Sequence, residues 1–118
     1  MVVGFGWAGP QLVAPTHEEL SFDNQVATLR EARVVIGPHG GGMSNTVFCA
    51  AGTRVGEIFA EEYIASWFWF LANITGVEHH YMIGAAEPRA ELAEAWNSGA
   101  SMHVDLAKLE LFVDRLLA

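Results

Sequence analysis

The chain has 118 residues, of which 52% are hydrophobic and 12 are glycine, and its net charge at pH 7 is −8. That length is one domain with room for a real core, the apolar fraction excludes a disordered chain, and the acidity makes nucleic acid and anionic membranes poor partners. A single cysteine, Cys49, excludes an internal disulfide and a CxxC metal site; no signal peptide stands out, and no apolar run reaches membrane-spanning length.

In chain order, Met1 to Trp7 reads as a truncation boundary. Gln11 to Ala14 reads as a short strand stopped by Pro15, and Thr16 to Leu20 as a polar turn. Ser21 is a helix N-cap with Asp23 in the first turn, and Phe22, Val26 and Leu29 fall at helical spacing, so a helix is predicted over Phe22–Ala32. Val34–Ile36 is a β-branched strand. It runs into Gly37, Pro38, His39, Gly40, Gly41 and Gly42, and a short helix over Met43–Cys49 follows, with Gly52 as its stop. Val55–Phe59 is the third strand and Ala60–Tyr63 a loop. Ile64–Thr75 is a helix that is apolar nearly all round, so it is expected to be buried or at an interface. Gly76 ends it, and Val77–Ile83 is the fourth strand. Gly84–Ser101 is mixed, with a helix over Arg89–Trp96. Asp105 caps a last helix whose inner face is Leu106, Leu109, Phe112, Val113 and Leu116. Strands alternating with helices predict an α/β fold with a mostly parallel four-stranded sheet.

The strand, glycine turn and helix start form a phosphate-cradle layout. The first N–H groups of a helix lack internal partners, its dipole adds partial positive charge there, and glycines let an anion approach the backbone. The pattern is neither GxGxxG nor a P-loop, so an anion site and a plain tight turn both remain open.

His39-Gly40-Gly41-Gly42-Met43-Ser44-Asn45, followed by Ala51-Gly52-Thr53 and Val55-Gly56-Glu57-Ile58, resembles the C-terminal part of glycosyltransferase family 61. That family typically reads HGAG, a hydrophobic residue, Ser or Thr, Asn, then PGT and VVE. The resemblance runs from about Leu12 to the C-terminus. Gly41 replaces the usual Ala, Ala51 the Pro and Gly56 the second Val. The resemblance implies a Rossmann-like donor domain, the C-terminal half of a GT-B type enzyme whose N-terminal domain is missing here. It implies an inverting transfer of a sugar from a nucleotide diphosphate donor to a hydroxyl or glycan acceptor, in polysaccharide or capsule-type synthesis. On that resemblance the half present here is expected to hold the donor and to be inactive alone, with the catalytic base in the other half. No tightly bound cofactor and no metal site is expected, and no DxD motif occurs. A cytoplasmic, bacterial-type location is expected, with membrane-peripheral attachment as an alternative.

Ligands of a parallel sheet collect at the strands' carboxyl ends. The nucleotide-sugar-binding candidates there are His39, Gly40, Gly41, Gly42, Ser44, Asn45, Glu57, Glu61, Glu62 and Arg89. His39 could donate to a diphosphate oxygen and stabilise the leaving group, or merely bond the turn. The three glycines are read as demanded by backbone geometry. Ser44 and Asn45 could hold phosphate or ribose, or cap the helix. Glu57 reads as a family-matched residue or as an exposed or edge carboxylate. Glu61 and Glu62 could meet donor-sugar hydroxyls or form a solvated acidic loop. His79 and His80, adjacent on a strand, point to opposite faces and are read as structural. Asn73-Ile74-Thr75 is a glycosylation sequon inside an apolar helix and is read as silent. Arg30, Arg33 and Arg54 fall on the edge away from the site, and Arg89 is the one permanent cation expected near it. Two rivals stand beside this reading: a binding or oligomerisation module built on the aromatic helix 64–75, and another Rossmann-like enzyme of nucleotides or phospho-sugars.

Overall fold

A computed structural model describes residues 3–5, 12–13, 21–86 and 102–118. Ser21 caps the first helix, α1 (Phe22–Glu31), its side chain accepting from the Asn24 N–H at 3.2 Å. Asp23 in the first turn and Arg30 in the last suit the helix dipole. Two strands precede this helix, β1 (Val3–Phe5) and β2 (Leu12–Val13). After it come β3 (Val34–Pro38), a 3-10 helix over Gly41–Phe48, β4 (Arg54–Ala60), α2 (Trp67–Thr75), β5 (Glu78–Ala86), β6 (Met102–His103) and α3 (Leu106–Leu117).

The strands form one sheet in the order β2-β1-β3-β4-β5-β6. β3, β4 and β5 are parallel, with Val35 opposite Val55 and Val55 opposite His79. β1 and β6 pair antiparallel with the two outer members of that trio. Both faces of β3 are covered, which is why Val34, Val35 and Ile36 form an unbroken β-branched run rather than an alternation.

Period-two alternation divides the sheet residues into two cores. On one face Val35 and Val55 pack with Leu29 of α1, Met43 of the 3-10 segment and Cys49 just after it, and Phe68 and Ala72 of α2 with Val77 just beyond it. On the other, Val34, Ile36 and Ile58 meet Phe112 and Leu116 of α3. Gly56 explains how α3 comes so close. A Cβ placed there would lie 2.6 Å from Leu116 Cδ1 and 2.9 Å from Phe112 Cε1. Asp105 caps α3 by accepting from the Lys108 N–H at 3.1 Å. Arg54 reaches back to its other end, with Nη1 donating to the Leu116 carbonyl at 2.8 Å and Nε 3.5 Å from Glu78 Oε2. A cation at a helix C-terminus is favourably placed.

Several expectations are corrected. The parallel sheet has three strands rather than four, because Leu12–Val13 pairs antiparallel with Val3–Phe5 instead of joining it. Val3–Phe5 is a strand, and strand pairing of this kind is non-local and invisible to a propensity reading. The helix expected over Met43–Cys49 is a 3-10 segment that begins two residues earlier. The aromatic helix begins at Trp67, not Ile64, and it is not buried all round: Phe68 and Ala72 are buried, while Trp67, Trp69, Phe70 and Ile74 face solvent. Leu106 is 79% exposed and does not belong to the inner face of α3. Gly76 ends α2 as expected, with φ +79 and its N–H bonded to the Ala72 carbonyl. The turn over Thr16–Leu20 and the helix over Arg89–Trp96 lie outside the described residues.

Candidate functional site

His39 follows the last residue of β3, and its backbone N–H donates to the Ile58 carbonyl of β4 at 2.8 Å. Its imidazole is surrounded by aromatic rings. Phe59 stacks on it at 5.3 Å, and Tyr63, Phe68 and Trp67 stand at 5.3, 5.4 and 6.1 Å between centroids. Nδ1 lies 2.5 Å from Glu57 Oε1. Glu57 is therefore no exposed or edge carboxylate, which removes that one of its two sequence readings: it sits in β4, the middle strand of the parallel trio, and is fully buried. Its other oxygen, Oε2, lies 2.7 Å from Nε2 of His79 on β5. A buried carboxylate needs its lone pairs satisfied, and two imidazoles do so here.

The adjacent histidines do point to opposite faces. His79 joins Glu57, and His80 Nε2 stands 4.0 Å from Glu78 Oε2. Reading His79 as merely structural missed its place in the His39–Glu57–His79 group. One signal could have found it. In parallel pairing Val55 faces His79, so Glu57, two residues on, shares the His79 side of the sheet.

Gly40 sits at the N-cap of the 3-10 helix, with no side chain capping it. The turn glycines do not have the role expected of them. Among the described residues only Gly52 and Gly76 have positive φ in the left-handed region, and Gly40 is extended at φ 162. A Cβ at Gly40 or Gly41 would meet nothing within 4 Å. What these glycines leave is open space beside the backbone, and an Ala at Gly41, as in the family pattern, fits without contact. Met43 and Thr46 are buried and anchor the segment, with the Met43 N–H donating to the Gly40 carbonyl and the Thr46 hydroxyl to the Met43 carbonyl. Gly42 is half-buried, Ser44 exposed and Asn45 half-buried. Ser44 and Asn45 lie inside the 3-10 segment, so the capping alternative does not apply to them.

Glu61 and Glu62 are exposed in the turn after β4, which the Tyr63 N–H closes onto the Ala60 carbonyl. The carboxyl ends of the strands thus gather His39, the glycine turn and the Glu61–Glu62 turn at one edge, with Glu57 and His79 behind them. Arg89 lies outside the described residues. Cys49 is buried and takes no part; desolvation pushes its thiol up to about 11. Asn73 of the sequon is exposed on α2, its Nδ2 donating to the Trp69 carbonyl at 2.8 Å. Among the described residues no cluster of acidic, His or Cys side chains could hold a metal ion, and no helix is long and apolar enough to cross a membrane.

Residues 10–56 match the family model described as Glycosyltransferase 61. That stretch contains β3, the glycine turn and the start of β4. The chain is also 33% identical over 88 residues to a beta-1,2-xylosyltransferase of Arabidopsis thaliana, a match that covers 75% of this chain. It spans only 16% of that relative's length. On both grounds, the chain belongs to glycosyltransferase family 61.

Proposed function

We propose that the chain is the donor-binding part of a glycosyltransferase of GT-B type, with the Rossmann-like role of holding a nucleotide diphosphate sugar. The complete enzyme transfers that sugar, with inversion, to a hydroxyl of a glycan acceptor in cytoplasmic polysaccharide synthesis. In such a transfer the acceptor hydroxyl gives its proton to a general base in the enzyme's other half, and its oxygen attacks the anomeric carbon. The bond to the diphosphate breaks, and its electron pair leaves with the phosphate. The leaving group then needs hydrogen-bond donors aimed at its oxygens.

The observation that supports this reading is the carboxyl-end cluster. An open glycine turn leads into helical N–H groups beside His39, whose ring is held from behind by a buried carboxylate. The N–H groups around Gly41 and Gly42 meet the diphosphate, with His39 beside them. Ser44 and Asn45 serve phosphate or ribose, and Glu61 and Glu62 the donor-sugar hydroxyls. Calorimetric titration of the chain with nucleoside diphosphates and their sugar conjugates tests this, and the relative's name puts xylosyl donors first. His39→Ala should weaken diphosphate binding about tenfold, or ~1.4 kcal/mol, and leave an uncharged nucleoside unaffected. Failure of every diphosphate to bind the wild-type chain at millimolar concentration would end the proposal.

A further inference from the structure

The buried carboxylate is the least expected group in this core. Glu57 has no exposed surface and lies on the face of the sheet that carries Val35 and Val55, and burying a carboxylate there carries a desolvation cost that packing alone would avoid. Both of its oxygens are engaged, by Nδ1 of His39 and Nε2 of His79. A carboxylate only accepts hydrogen bonds, so each ring presents an N–H to it. For His39 this settles which nitrogen is left. With Nδ1–H given to Glu57, Nε2 is the ring atom available to anything outside. The residue is fixed at its backbone as well, since its N–H bonds to Ile58 on the same strand that carries Glu57. Four aromatic rings restrict the imidazole from the sides.

We propose that Glu57 and His79 are positioning residues for His39: the carboxylate takes the Nδ1–H of His39 and leaves Nε2 as the one ring nitrogen open to a ligand, while His79 pins the carboxylate by its other oxygen. The neutral ring then offers a lone pair at Nε2, which accepts a hydrogen bond from a ligand hydroxyl. The doubly protonated ring offers an N–H there, which meets a phosphate oxygen. In both forms the same atom faces the substrate, and the same carboxylate supports the ring. The ligand part of this inference rests on the donor-site reading above; the tautomer part does not.

Two-bond 1H–15N imidazole correlations of the labelled 118-residue chain, recorded with the rings neutral, test it, and His39→Gln assigns the peaks. The wild type should show His39 as the Nδ1–H form and His79 as the Nε2–H form. Glu57→Gln keeps the shape but can donate as well as accept, so His39 should leave the pure Nδ1–H pattern. His79→Gln still supplies a donor to Glu57 and should retain that pattern, while His79→Leu should lose it. A role in packing alone would move melting temperatures without this selectivity. If His79→Leu does not fold, the contrast between His79→Gln and Glu57→Gln decides the matter. His39 in the Nε2–H form in the wild type, or an unchanged pattern in Glu57→Gln, would overturn the proposal. Added uridine diphosphate should shift Nε2 of His39 most. Binding without a response there also overturns the claim. No binding at all counts against the donor site, and the tautomer pattern still decides the roles of Glu57 and His79.

Discussion

Gly56 and Gly41 are single-residue departures from the family pattern with opposite physical meanings. At Gly56 a Cβ would lie 2.6 Å from Leu116 Cδ1 and 2.9 and 3.1 Å from Phe112 ring atoms, so α3 would have to move. Overpacking of this kind costs about 1–3 kcal/mol. At Gly41 the added carbon meets open space. Gly56→Ala should therefore lower the denaturation midpoint clearly, whereas Gly41→Ala should stay within about 0.5 kcal/mol of the wild type; equal midpoints for the two variants would contradict the packing of α3 on β4. Cys49 gives a second residue-scale expectation. Its thiol is raised from 9.0 to about 11 by desolvation, so the folded state prefers the neutral form. That preference contributes in full below pH 9 and is lost as the pH rises through about 11, where the folded thiol ionises too. Wild-type stability should then fall relative to Cys49→Ala across that window and run parallel to it below. The same burial predicts slow reaction of the native thiol with alkylating reagents and fast reaction after unfolding.

At the scale of elements, α2 is the one whose surroundings departed furthest from expectation. The sequence suggested burial or an interface; Phe68 and Ala72 are buried and Leu71 packs against the same core, while Trp69 and Phe70 form an edge-to-face pair in solvent. Removing each such ring from water is worth roughly 1.5–3 kcal/mol. We propose a second copy of the chain as the cover. Sedimentation should show association that rises with concentration and disappears when Trp69 and Phe70 are both replaced by Lys. A wild type that stays monomeric at high concentration would dismiss it. What was legible beforehand divides along physical lines. The caps at Ser21, Asp105 and Gly76 were readable because capping is local chemistry, written within four residues of the helix end. The runs Val34–Ile36 and Val55–Phe59 were readable from β-branching and burial on both faces. The antiparallel flanks were not, because Val3–Phe5 finds β3 across a long sequence separation. The Glu57–His79 contact needed the register of two strands as well as their existence. Without that register Glu57 stayed open between a family-matched site residue and an exposed or edge carboxylate, and His79 read as structural.

Charge is a property of the whole molecule, and it bears on how an anion reaches the glycine turn. The chain carries −8 overall. Its described basic residues do little to offset this at the ligand edge. Arg33 precedes β3 and Arg54 begins β4, at the strands' amino ends, and Arg54 is occupied with the Leu116 carbonyl and Glu78. At the opposite, carboxyl end the turn after β4 presents Glu61 and Glu62 to solvent. Under the proposed donor-binding role, an approaching nucleotide diphosphate is repelled at long range, and only the last few ångströms, where helical N–H groups and His39 would act, favour it. Salt separates the two regimes. The screening length is about 30 Å at 10 mM and about 8 Å at 150 mM ionic strength, so added salt removes the distant repulsion before it weakens contacts at hydrogen-bond distance. Diphosphate affinity should rise about threefold over that range, chiefly through a faster association rate, whereas an uncharged nucleoside should show no change. Stopped-flow association at the two ionic strengths measures this directly. A diphosphate whose binding weakens steadily with salt would mean that a cationic surface, rather than backbone N–H groups and one imidazole, holds the phosphate.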